Sequence, residues 1–294
     1  MNKLNAKVLL RCAIAGSLLL GGTAINAQVT DFNLSTDVQA NSVNETPLFR
    51  GEQLFLAGSY AAASDVFQMA DGLDKNEGIV GASRALAMMG NYQEAIRLCE
   101  EIIGDAPKSE FPLVSTQLAE VKRLIGRSQE ALGILKEVVS DTFEPPVRTL
   151  VQYGSLLKFV GEREQASDVL YQAIDRYNNG LVFSSEDVAM VALASWLTNN
   201  FHDANSLFSE ATRANPNNLE AHVLWGDLFL EKFNAVDAER SYQEALDINR
   251  RYAPALVGIA QVVGDERALQ QALTINPNDV AALETYGQLA LLNG

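Results

Sequence analysis

The sequence predicts an all-α fold built as an array of helical hairpins, and three observations predict it. A short motif, Gly-x-Tyr-x-x-Ala, runs through Gly58-Ser59-Tyr60-Ala61-Ala62-Ala63 and again through Gly90-Asn91-Tyr92-Gln93-Glu94-Ala95. Weaker copies follow: 126–131 and 161–166 keep Gly and Ala, 199–204 puts Phe201 at the aromatic position, and 233–238 keeps Ala238. The six alanines, Ala63, Ala95, Ala131, Ala166, Ala204 and Ala238, lie 32 to 38 residues apart, a period in which one unit holds two helices of three to four turns.

The second observation uses positions that played no part in finding the motif. Twelve residues before each alanine stand Gly51, Ser83, Ala119, Gly154, Ala192 and Gly226, all small, as a close helix crossing requires. Gly, Ala and Ser make up roughly a quarter of the chain, so six in six arises by chance about once in several thousand trials. Four residues after each alanine stand Phe67, Cys99, Leu135, Leu170, Phe208 and Tyr242, all suited to a buried slot. The third observation is punctuation: Pro107, Pro216 and Pro277 fall where the second helix of a unit must stop.

Before the array, residues 1–27 read as a secretory signal peptide. Lys3, Lys7 and Arg11 form a basic start without an acid, the run from Cys12 to Ala24 is apolar or small, and Ala24-Ile25-Asn26-Ala27 supplies the cleavage site. The run is shorter than the about 18 residues that span a bilayer. Cys12 opens the run instead of following it, which argues against lipidation. Residues 28–43 are polar, lack Lys and Arg, and read as a flexible lead-in. The expected location is therefore outside the cytoplasm, periplasmic or extracellular.

The array occupies 44–294 in units of about 44–77, 76–109, 112–145, 147–180, 185–218 and 219–252, a shortened seventh at 253–277, and an incomplete eighth at 278–294. Glu144-Pro145-Pro146 breaks the helix before the fourth unit, and the stretch from Tyr177 through Ser185 is expected to lengthen the next joint. The last unit has Gly287 in the small position and no second helix, from which we expect the natural chain to continue past Gly294, with a lone capping helix as the alternative.

These residues resemble the tetratricopeptide repeat (TPR) family over nearly all of the mature chain. The resemblance implies an α-α superhelix, a solenoid of about seven hairpins plus one terminal helix, with a concave groove lined by the first helix of each pair. Carrying that over, Leu48, Val80, Thr116, Val151, Ala189 and Val223 hold one lining position, and Arg84, Glu120, Ser155, Leu193 and Asp227 stand four residues on. The Lys, Asn and Arg set by which some relatives clamp a carboxylate is not present; Arg84, Arg123, Arg148 and Lys158 are left for isolated polar contacts. The candidate partner-binding side chains are Phe55, Met88, Phe159, Met190, Leu193, Trp196, Leu197 and Leu230, with Trp196 foremost.

Composition narrows the chemistry. Loss of the signal takes the net charge from −15 to −18, which disfavours nucleic acid and anionic membrane surfaces as direct partners. Cys99 alone remains after cleavage, so no internal disulfide forms. His202 and His222 have no metal-ligand spacing, and no phosphate loop, dinucleotide fingerprint or nucleophile elbow occurs. No catalytic residue, metal or cofactor is expected. The function expected is an exported scaffold that holds a protein or peptide segment. The alternatives are the amino-terminal arm of a longer cell-envelope enzyme, such as a hydrolase, and a docking factor for an outer-membrane or secretion machine.

Overall fold

A computed structural model describes residues 46–293, all of them in one compact unit; the expected signal peptide and lead-in lie outside the described residues. Fifteen α-helices form seven antiparallel pairs and a final single helix among the described residues. First helices are α1 (Pro47–Leu56), α3 (Lys75–Met88), α5 (Pro112–Leu124), α7 (Val147–Phe159), α9 (Ser185–Leu197), α11 (Leu219–Glu231), α13 (Ala253–Val263) and α15 (Val280–Asn293). Their partners are α2 (Tyr60–Phe67), α4 (Tyr92–Ile103), α6 (Ser128–Asp141), α8 (Arg163–Asn178), α10 (Phe201–Ala214), α12 (Ala235–Ile248) and α14 (Glu266–Ile275). The fold is thus the helical-hairpin superhelix that the repeat period implies.

Helix pairs lock where the small residue meets the bulky one sixteen positions later. A Cβ on Gly51 would stand 2.6 Å from the Phe67 ring, one on Gly154 2.6 Å from Leu170, and one on Gly226 2.6 Å from Tyr242. The Phe67 ring also abuts Gly81, and the Tyr242 ring Gly258, so each ring is held between glycines of two successive first helices. Cys99 fills the same slot in the second unit with no exposed surface, and burial pushes its thiol up to about 11, so it packs as a small hydrophobe.

The turn inside each hairpin needs one left-handed residue. Gly58, Gly90, Gly126 and Gly161 supply it at φ of 71°, 75°, 79° and 95°, and the fifth and sixth units keep the geometry with Asn199 (67°) and Phe233 (58°). Phe233 gains nothing for that strain, since its side chain is 96% exposed.

Joints between units reuse one asparagine. Asn215, Asn249 and Asn276 each follow the last helical residue, and the Oδ1 of each accepts the backbone N–H two residues on, from Asn217, Arg251 and Asn278 at 2.9–3.0 Å. The joint after the fourth unit is tighter than its composition suggests: α8 runs to Asn178, taking in Tyr177, so only 179–184 form the connection. The short seventh hairpin has helices of 11 and 10 residues.

The core is not a simple row. One apolar cluster spans units three to six, from Ala119 to Leu228. The other joins the first units, Phe55 to Val121, to the last, Leu219 to Ala282. One superhelical turn therefore closes upon itself. Tyr60 Oη donates to Arg251 O at 2.9 Å, and Asn249 Nδ2 donates to Phe55 O at 2.9 Å and to Tyr60 Oη at 3.1 Å. One unit further on, Asn276 Nδ2 donates to Tyr92 Oη at 2.8 Å.

Two expected outcomes test this packing. Gly226→Ala, with its added methyl forced into the Tyr242 ring, lowers stability by about 1–3 kcal/mol in urea unfolding. Phe233→Gly relieves the left-handed strain and raises stability by about 0.5–1 kcal/mol after the added chain entropy is deducted.

Candidate functional site

Closure of the turn converts the concave groove into three adjoining cavities that share Leu124 in their walls. The central one, about 420 Å³, lies among α5, α7, α9 and α11 and takes Met88, Met190, Leu193, Leu224 and Tyr252 into its lining. A second, about 500 Å³, runs from Arg123 and Phe159 to the start of α15 at Asp279, Val280 and Ala281. The third, about 580 Å³, is bounded by Val223, Asp227, Leu230, Pro254, Val257 and Gln261.

Of the expected groove residues, Met88, Met190 and Leu193 line the central cavity, Phe159 the second and Leu230 the third. The other three do not line them. Phe55 is a core residue, 4% exposed, with the Tyr60 ring edge-on at 5.2 Å and the Arg84 guanidinium 4.2 Å above its face. Trp196 is half-buried, and its indole N–H donates to Glu231 Oε2 at 2.7 Å, bracing α9 against α11. Leu197 is half-buried beside it and its carbonyl accepts Lys158 Nζ at 2.6 Å. The first carried-over lining position is divided: Thr116 and Ala189 are buried between units, Thr116 hydrogen-bonded to Thr149 at 2.6 Å, whereas Val151 and Val223 border the central cavity. The position four residues on does face the cavities, at Glu120, Ser155, Leu193 and Asp227.

Charge organises the walls. Arg148 on α7 reaches across to Glu220 on α11 in a two-pronged pair at 2.9 and 2.5 Å. Both stand deep in the protein, yet 35% and 40% of their side-chain surfaces stay accessible, as expected for groups facing a wet cavity. Burial opposes both charges, but each partner outweighs it, so Glu220 is held below the usual carboxylate range and Arg148 above its own. Asp227 has no such cation. Burial pushes its carboxyl up to about 6, and the hydrogen bond that Tyr242 Oη donates at 2.6 Å offsets only part of that rise. Glu231, Asp279 and Glu284 add acids to the wall formed by the last units, whereas Arg123 and Arg148 stand on the opposite wall. The sequence brought Arg123, Arg148 and Asp227 to the groove but not Glu220, Glu231, Asp279 or Glu284, and Glu220, the partner of Arg148, is 72 positions away from it.

The histidines take no part in the channel: His202 is exposed at the start of α10, and His222 is buried with Nε2 3.0 Å from Pro216 O. Among the described residues no group of three or more His, Cys, Asp or Glu could hold a metal ion, and no helix is long and apolar enough to cross a membrane.

The APC/C hetero-tetramer Cut9-Hcn1 superposes with a TM-score of 0.53 at 11% identity over 85% of this chain, which spans 57% of the length of that one. A tetratricopeptide repeat protein from Parabacteroides merdae gives 0.44 at 11% identity, covering 78% of this chain and 89% of that one. MamA gives 0.33 at 19% identity, covering 59% and 96%. No family model matches the sequence, and no curated protein does. The chain has the tetratricopeptide-repeat fold.

The lone carboxylate gives a pH prediction. Because the folded pKa of Asp227 is raised, ionising it costs stability, a cost absent below about pH 4 and complete above about pH 6. Asp227→Asn, which still accepts from Tyr242, stabilises the fold by on the order of 2 kcal/mol at pH 7 and by nothing at pH 4, as read from urea midpoints at the two pH values.

Proposed function

We propose that this chain is a non-enzymatic scaffold that holds a segment of a partner protein in the channel formed by the three cavities, and that it is exported by way of residues 1–27. The observation that carries the reading is the channel itself. It is a half-open groove, apolar at Met88, Leu124, Met190, Leu193 and Leu230, and provided with fixed charges on both walls. That combination suits a ligand whose backbone and side chains are bound together, apolar contacts giving area and the charges giving register.

The acids of the last units favour positive side chains on one face of that segment, consistent with the net charge of −15 and opposed to direct capture of nucleic acid or anionic lipid. An arm of a longer envelope enzyme, or an assembly factor of a secretion machine, would use the same channel.

Selection of a random displayed peptide library on the immobilised chain tests the reading. Enriched peptides are expected to carry Lys or Arg among apolar residues and to bind Leu193→Arg/Leu230→Arg at least tenfold more weakly, with its circular dichroism unchanged. Equal binding to that folded variant would place the ligand elsewhere and end the channel proposal.

A further inference from the structure

The polar contacts that close the superhelical turn, set within the apolar cluster that joins the first units to the last, differ in kind from those that hold each hairpin. Inside a hairpin, a ring is wedged against glycine. At the closure, two asparagine amides reach turns that lie 184 to 194 residues away in the chain. Each amide is aimed by its own joint: the Oδ1 is occupied by the backbone N–H two residues on, which leaves Nδ2 pointing outward. Asn215 makes the same joint, but its Nδ2 goes to Glu186 on the adjacent helix at 3.2 Å, so the joint alone does not call for a tyrosine.

The receiving turns are shaped for this contact. A Cβ on Gly58 would come within 2.9 Å of Asn249 Oδ1, and one on Gly90 within 2.4 Å of Asn276 Oδ1, whereas the equivalent glycines of the third and fourth units, Gly126 and Gly161, have nothing within 4 Å. The closure also borders the channel on both sides. Tyr252, next to the Arg251 carbonyl that Tyr60 grips, lines the central cavity, as does Met88, two residues before Gly90.

We propose that these two contacts are a clasp: the seam between the first and last units parts to let a partner segment into the channel and re-forms behind it. The clasp rests on the channel reading given above. Two small polar grips, with Tyr60, Tyr92 and Tyr252 buried at the seam, keep the closed form dominant in the free chain, while a segment bound in the channel adds contacts on both sides of the seam and shifts the population further toward closure. Each lost hydrogen bond is expected to raise the open fraction about fivefold.

Single-molecule energy transfer on the free chain tests it, with dyes at Ser59→Cys and Arg250→Cys, two exposed positions flanking the seam, in a Cys12→Ser background with Cys99 buried. The wild-type seam is expected to show a dominant high-transfer state exchanging with a minor low-transfer one, and Asn249→Ala/Asn276→Ala to enlarge the minor state at least fivefold. Gly90→Ala and Gly126→Ala form a matched pair that share the left-handed strain: the first is expected to open the seam and the second to leave it closed. That pair decides the matter if the double variant loses helicity. One high-transfer state throughout, or equal opening by Gly90→Ala and Gly126→Ala, overturns the clasp. These readouts use no ligand, so they stand apart from failure of the channel itself. A channel-binding peptide then gives the second measurement, its association rate rising with the open fraction; an unchanged rate means that it threads in from an end, and the clasp falls.

Discussion

Everything in this molecule depends on how closely two helices can approach when one of them gives up its side chain. The glycine, alanine or serine in each first helix removes the atoms that would keep the pair apart, and a bulky residue sixteen positions later fills the space. This contact fixes the angle within each hairpin, and the shared rings of Phe67 and Tyr242 carry the angle to the next unit. Curvature then follows from repetition. The channel is what that curvature leaves in the middle, and its walls are the faces of first helices that the lock does not consume.

The lock was legible in the sequence because both of its members lie within one repeat and recur six times. The same holds for the hairpin turn, where even Asn199 and Phe233 keep the left-handed backbone that the period places there. The closure was not legible. Tyr60 and Tyr92 were already accounted for as the aromatic of the motif, and nothing local singles out Asn249 or Asn276 among the chain's asparagines. Their meeting is a property of the summed curvature of five units, to which each joint contributes a small rotation that no single residue reports.

The channel was half legible for a related reason. Helical spacing tells which residues share a face, and it brought Met88, Met190, Leu193, Phe159 and Leu230 to the right region. It does not tell how wide that face is or whether something folds over it. Phe55 was taken for a wall and is core, because Arg84 and Tyr60 cover it. Trp196 was singled out as the foremost partner contact; its N–H is donated to Glu231, and it lines none of the three cavities. The pairing of Arg148 with Glu220 became visible only once helices 72 residues apart were brought together.

An open solenoid is a one-dimensional object: each repeat feels its two neighbours, and stability is nearly a sum over them. Joining Tyr60 to Asn249 and Tyr92 to Asn276 makes a circuit of what was a line. The terminal units, which in a line would fray first, gain a second set of neighbours. That circuit closes a loop of about 190 residues, whose entropic cost can be met only after the intervening units have stiffened and set the curvature, so the ends are the last contacts made in folding.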